Sequence, residues 1–191
     1  MIDVHFLSSP RRWPVRLLGA LRRRLRTSEL WLIMLAVAVG GAAGLLAVFQ
    51  SRLAHGLQRA LYRIGEADHL SAVAGINPWL ALWLPAGGLA LGLFSWAVSR
   101  RRSTGLVDVV EANALHGGVL GLVDSAIVCT QTVISNGVGA SVGLEAAYAQ
   151  AGGAAASFAG SRLKLRRRDM RVLVGAGAGA AIGAAFGAPL T

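Results

Sequence analysis

Acidic residues and cysteine are scarce in this sequence. It contains 9 Asp and Glu against 19 Lys and Arg, and a single cysteine, Cys129. One thiol cannot form an intrachain disulfide, and it suggests no cysteine-based metal site. Cys129 lies in an apolar stretch, so we expect a small buried side chain rather than a reactive thiol.

Charge of either sign is also low. Charged residues make up 15% of the 191 residues and hydrophobic residues 54%, with a mean hydropathy of +0.57, whereas soluble domains average about 25% charged. Several apolar runs are about 20 residues long, which soluble cores do not need. This composition predicts an integral membrane protein.

The sequence has no phosphate-binding loop, nucleophile elbow or zinc signature. Asp108 and Glu111 lie three residues apart with His116 nearby, a pattern that could serve acid–base catalysis or metal binding. Capping of a short helix and contact with arginines at the cytoplasmic mouth are the favoured roles. An intramembrane enzyme using these carboxylates with Glu145 would lack a nucleophile or a metal set. We therefore expect no enzymatic activity and no cofactor.

The net charge of +10 does not indicate nucleic-acid binding. The arginines form three clusters between apolar runs, without a basic and aromatic face. The positive-inside rule explains such clusters and places them on the cytoplasmic side. Residues 1–28 predict a basic amphipathic helix on an anionic membrane surface, with a solvated charged leader as the alternative.

Residues 29–191 are predicted to form one transmembrane domain. Residues 30–49 carry no charge and can span a core of about 30 Å; the helical pattern continues to about Ile64, which predicts a long tilted helix. Gly40 and Gly44 form a small-residue contact face on it. Residues 65–77 predict an outside loop. Residues 76–98 predict a second span, anchored by tryptophans and bent near Pro85.

Short helices are predicted after the second span. They run from near Leu106 to Gly117-Gly118, over 119–138, from Glu145 to about Gly160, and over 172–188. The last carries a predicted packing stripe of Gly175, Gly179, Gly183 and Gly187. The predicted fold class is all-α: a polytopic membrane protein with long tilted spans and short broken half-helices. Irregular backbone between such helices is tolerated at membrane depth only inside protein or beside a cavity.

Two helix N-termini are candidate anion sites, because their free N–H groups and partial positive charge favour anions. One comprises Thr104, Gly105 and Leu106, and the other comprises Gly143, Leu144, Glu145 and Ala146. No Lys or Arg lies between Arg102 and Arg162, so no neighbour in sequence neutralises Glu145. Its carboxylate could compete with an anion and act as a gate linked to protons; the alternative is a simple N-terminal cap.

Three segments resemble the CLC family of chloride channels and chloride/proton antiporters. Residues 140–153 resemble the family's gating segment, with Glu145 at the gating glutamate. Residues 103–111 resemble its first anion-binding segment, with Thr104 at the anion-contacting hydroxyl. Residues 175–190, ending Phe-Gly-Ala-Pro-Leu, resemble a third. The chain departs from the family at Leu144, at Ala146-Ala147 and at Val107, which suggests a divergent bacterial branch.

The resemblance implies the first half of an inverted-repeat fold that carries chloride or another small anion, with protons as a further candidate partner. It also implies a homodimer of the complete protein, in the inner membrane, with several spans and a cytoplasmic N-terminus. It does not separate channel from antiporter. We expect the 191-residue chain to be part of a longer protein or an incomplete fragment, without robust chloride flux alone. The alternative is a truncated, non-transporting membrane module with a structural or assembly role.

Overall fold

The computed structural model describes residues 29–65, 77–102, 105–140 and 143–188, and these are helical throughout, with short connections. The basic segment 1–28 and most of the predicted outside loop lie beyond the described residues. In chain order the described helices are α1 (Glu29–Tyr62), a 3-10 turn (Leu80–Leu82) leading into α2 (Trp83–Arg101), α3 (Val109–Leu115), α4 (Leu122–Gly137), α5 (Glu145–Leu163) and α6 (Arg167–Ala185).

Two of these helices are long and apolar enough to cross a membrane: Glu29–Tyr62 and Leu80–Arg101. The 34 residues of α1 extend about 51 Å at 1.5 Å per residue, more than a bilayer core of about 30 Å. Large apolar side chains on α1 remain exposed, such as Val37 at 71% and Leu45 at 74%. Apolar exposure on this scale fits a lipid-facing helix, and the two candidate spans lie where the sequence predicts them.

The second span starts later than predicted, since its α-helix begins at Trp83 rather than near Ile76. Pro85 therefore lies in the first turn and does not bend the middle of the helix. The backbone N–H of a first-turn residue has no intrahelical acceptor, so proline loses no hydrogen bond there. Gly87 is the buried residue of α2, and a Cβ placed on it would lie 2.6 Å from Cβ of Val138.

The core is formed where α1, α5 and α6 pack together, and α5 and α6 share the most extensive contact. Their backbones touch at Gly152 and Gly177: a Cβ on Gly177 would lie 2.6 Å from the Gly152 carbonyl oxygen and 2.9 Å from Cβ of Ala156. On α1, the predicted small-residue face is confirmed, because Cβ atoms on Gly40 and Gly44 would lie 3.4 and 3.3 Å from Ala180 and Ala184.

The predicted glycine stripe on α6 does not form the contact with α5 among the described residues. Gly175 and Gly179 are exposed, and a Cβ on Gly179 would meet nothing within 4 Å. The buried face is set by Leu173 and Val174, which are fully buried and continue to Gly177. Two residues along a helix turn by about 200°, so Gly175 and Gly179 point away from it. Larger side chains gain more van der Waals contact than glycine, and they determine which face packs inward.

The described basic clusters lie at one end of the bundle. Arg102, after α2, forms an ion pair with Asp124 in the first turn of α4. The backbone N–H of Leu120, just before α4, donates to Ser157 Oγ near the end of α5 at 2.8 Å. The end of α2, the start of α4 and the basic connection from α5 to α6 therefore share one side, as predicted for the two clusters.

Candidate functional site

The N-terminus of α5 is the candidate site, and Glu145 is the first residue of this helix. The preceding residue, Leu144, makes no capping hydrogen bond through its side chain. Leu144 is buried, whereas Gly143, Glu145 and Ala146 are exposed. The first N–H groups of a helix have no intrahelical acceptor, and about half a positive charge gathers there. Among the described residues, no N-cap side chain satisfies the first N–H groups of this helix.

The Glu145 side chain folds back over Gly143 rather than extending along α5. A Cβ placed on Gly143 would lie 2.7 Å from Cδ and 3.1 Å from Oε1 of Glu145, and it would overlap Oε2. Only a residue without a Cβ leaves this space for the carboxylate. The negative group is thus placed next to the positive end of the helix, where a small anion would also be most stable.

The other predicted segment contains Thr104, Gly105 and Leu106. Thr104 lies outside the described residues. Gly105 is exposed and Leu106 is half-buried, and they belong to an irregular segment that precedes α3.

The predicted helix start near Leu106 is wrong, because α3 begins at Val109. Asp108 is its N-cap: its Oδ1 accepts a hydrogen bond from the Glu111 backbone N–H at 2.7 Å. The carboxylate of an aspartate just before a helix accepts a hydrogen bond from a backbone N–H of the first turn. Gly105 and Leu106 have no side-chain acceptor for such a bond. The helix dipole therefore does not begin at Gly105 and Leu106. The predicted capping role of Asp108 is confirmed.

Gln150 joins the segment before α3 to α5, a role that is not predicted from the sequence. It is 1% exposed, and its Nε2 donates to the Val107 carbonyl and to Ser125 Oγ, both at 3.1 Å. Next to it, a Cβ on Gly153 would overlap Val109. In the sequence, Gln150 stands out as a carboxamide in an Ala/Gly-rich helix, five residues after Glu145. That isolation is the feature that could indicate a buried hydrogen-bonding role. Gln150 therefore ties Val107, the residue after Leu106, to the second turn of α5.

Contacts between α1 and α4 support the connection that leads into α5. The Tyr62 hydroxyl donates to the Val138 carbonyl at 2.6 Å. Gln58 Nε2 donates to the Asn136 carbonyl at 2.8 Å. Both acceptors lie at the C-terminal end of α4, so α1 holds the end from which the chain continues to Glu145.

Cys129 is half-buried and lies between α1 and α5. Its Sγ is 3.5 Å from the Ala147 carbonyl and accepts from Gln50 Nε2 at 3.6 Å. The predicted structural role fits these contacts. Among the described residues, no group of three His, Cys, Asp or Glu side chains could hold a metal ion. Glu111 and His116 are both exposed, and nothing in their geometry indicates catalysis.

The family model and the relatives that match this chain are all described as chloride channels. The family model described as voltage gated chloride channel matches residues 86–191. A chloride/fluoride channel protein of Pseudomonas syringae pv. tomato is 31% identical over 154 residues, covering 81% of this chain and 32% of the relative. A ClcB-like chloride channel protein of Ralstonia nicotianae is 34% identical over 166 residues, covering 82% and 38%. The chain spans about a third of the length of these relatives. No solved structure matches significantly.

Proposed function

Because the chain belongs to the voltage-gated chloride channel (CLC) family, we propose that it takes part in anion transport across a membrane, with chloride as the carried ion. One observation carries the proposal at the level of the site. The carboxylate of Glu145 lies over Gly143 at the N-terminus of α5. The N-cap residue of this helix, Leu144, has no side-chain hydrogen bond to its first N–H groups.

In this proposal the anion and the carboxylate compete for one position. The anion is held by backbone N–H groups at Gly143, Leu144 and Ala146, which replace part of its hydration shell. Glu145 occupies the same position when no anion is bound, and it releases the site when it is protonated or rotates away.

The segment before α3 supplies the other side of the proposed site. Thr104 contributes a hydroxyl, and Gly105 and Leu106 contribute backbone groups. The hydrogen bond from Gln150 to the Val107 carbonyl supports this part of the proposal, because it ties that segment to α5.

The proposed setting is a bacterial inner membrane crossed several times, with a cytoplasmic N-terminus. The common side of the described basic clusters supports this orientation through the positive-inside rule. Protons and a second copy of the complete protein are the further proposed partners.

A second candidate is a membrane module that binds anions but does not transport them outside an assembly. The exposed Gly175 and Gly179 on α6 favour it, since small residues allow another helix to approach closely within a membrane.

Halide binding tests the site directly. The chain is purified in detergent, and chloride and fluoride affinities are measured by isothermal titration calorimetry. Glu145→Ala removes the competing carboxylate, so chloride should bind about tenfold more tightly, equivalent to about 1.4 kcal/mol at a helix terminus. The matched control is Glu29→Ala, which removes an exposed glutamate from the first position of α1 and should change nothing. Equal affinities in all three proteins would refute the site.

Anion flux separates the two candidate functions. The chain is reconstituted into liposomes, and chloride efflux is recorded with and without a pH gradient. Flux that exceeds empty liposomes and changes in Glu145→Ala supports transport by this chain. Halide binding without flux supports the module that transports only in an assembly.

A further inference from the structure

A basic pocket lies at the opposite end of α5 from Glu145, between α3 and the start of α6. It has a volume of about 490 Å³ and is lined by Asn113, Arg167, Arg168, Arg171 and Val172. Its size lies within the usual range for small-molecule sites, about 300–1,000 Å³. None of these lining residues is acidic, so the pocket concentrates positive charge.

Arg167 is held in place by the backbone around it. Gly117 has a φ of +66°, and a Cβ on it would lie 2.6 Å from Nε and 2.8 Å from Cγ of Arg167. The arginine side chain therefore passes through space that only glycine leaves open. Its guanidinium donates to the Leu115 carbonyl at 3.1 Å. A carbonyl is neutral, so this bond orients the guanidinium without cancelling its charge.

The three arginines repel one another when the pocket is empty. Arg167 and Arg171 are four residues apart, and Arg168 and Arg171 are three apart, which places them on neighbouring positions of one helix surface. Like charges at these spacings destabilise a helix. Asp169, in the same turn, is not a lining residue. A bound anion would relieve this repulsion.

Asn113 and the start of α6 add neutral donors. The Asn113 Nδ2, a donor, faces α6 and lies 3.9 Å from the position of a Cβ on Gly175. Arg166, the N-cap of α6, makes no side-chain capping bond, so the positive end of the helix dipole also faces this region.

We propose that this pocket binds a phosphate group, carried by an anionic phospholipid headgroup or free in solution. Guanidinium groups match the geometry of phosphate oxygens and bind them in pairs, which a monatomic anion cannot exploit. The pocket also lies at the end of the bundle where the described arginine clusters gather, the level at which basic residues meet anionic headgroups. This site is separate from the halide site and does not depend on anion transport.

Lipid titration of the full chain tests the proposal. The protein in nonionic detergent is titrated with dioctanoyl phosphatidylglycerol, dioctanoyl phosphatidylcholine or inorganic phosphate, and binding is measured by native mass spectrometry. The test variant is Arg168→Gln/Arg171→Gln. The control variant, Lys164→Gln/Arg166→Gln, loses the same charge from the connection that precedes α6, and it changes no lining residue. Circular dichroism checks that both remain helical.

We expect phosphatidylglycerol to bind the unaltered chain and about thirtyfold more weakly to the test variant, since each basic residue near an anionic group adds about a factor of five. The control should stay within about threefold. If inorganic phosphate binds with the same dependence on Arg168 and Arg171, free phosphate is a source; if only the lipid binds, the headgroup is. Equal weakening in both variants, or equal binding of phosphatidylcholine, would overturn the proposal.

Discussion

Replacing Gln150 with leucine should loosen the segment before α3 while leaving the bundle folded. Leucine has nearly the same size but removes two hydrogen bonds, one to the Val107 carbonyl and one to Ser125 Oγ, both 3.1 Å long. Ser125 keeps its own hydrogen bond to the Gly121 carbonyl at 2.9 Å. The group left without its hydrogen bond is therefore the Val107 carbonyl.

The expected magnitude follows from these bonds. Each buried hydrogen bond contributes about 0.5–1.5 kcal/mol, so loss of the bond to Val107 should lower the cost of opening this segment by about 1 kcal/mol. A local opening that costs about 1 kcal/mol less occurs about fivefold more often. The amides of Glu111 and Ala112 report this opening, because both bond to Asp108, the residue after Val107.

Hydrogen–deuterium exchange of a peptide covering residues 109–115 measures this effect, with an expected acceleration of about fivefold. The matched control is Gln131→Leu, which removes one hydrogen bond, from Nε2 to Ser95 Oγ at 2.9 Å, between α4 and α2. It should leave exchange in α3 unchanged. If exchange in Gln150→Leu stays within about twofold of the unaltered chain, Gln150 does not hold this segment.

Two further substitutions test the packing. Gly177→Ala should destabilise the protein by about 2–3 kcal/mol in thermal unfolding, because its Cβ meets the backbone of Gly152; Gly179→Ala, in open space, should be neutral or slightly stabilising. Equal unfolding midpoints for the two would contradict the α5–α6 contact. Tyr62→Phe should cost about 1 kcal/mol by removing the bond to the Val138 carbonyl, and an unchanged midpoint would show that this bond contributes nothing.

The long helices could be predicted from the sequence because a membrane leaves few alternatives. An uncharged run of about 20 residues must satisfy its backbone internally, which favours a helix at α1 and α2. The start of α5 at Glu145 was also predictable, since glycines precede it and an alanine-rich run follows.

The remaining differences depend on tertiary contacts. The predicted start of α3 near Leu106 is too early, because residue spacing alone does not show which residue caps the helix. The packing face of α6 is not predictable from the sequence, because Gly175 and Gly177 are equivalent in sequence. Only the contact with Gly152 shows that Gly177 faces α5. The hydrogen bonds of Gln150 and the position of the Glu145 side chain over Gly143 likewise depend on tertiary neighbours, which residue spacing does not reveal.

The backbone contact between Gly152 and Gly177 limits how the helix start at Glu145 can move. With no side chains between the two backbones there, sliding or tilting α5 against α6 would disrupt contacts along both helices. The Glu145 side chain is exposed and can rotate on a picosecond-to-nanosecond timescale, whereas helix displacements take microseconds to milliseconds. Any switching at this position is therefore easiest as a rotamer change on a fixed frame.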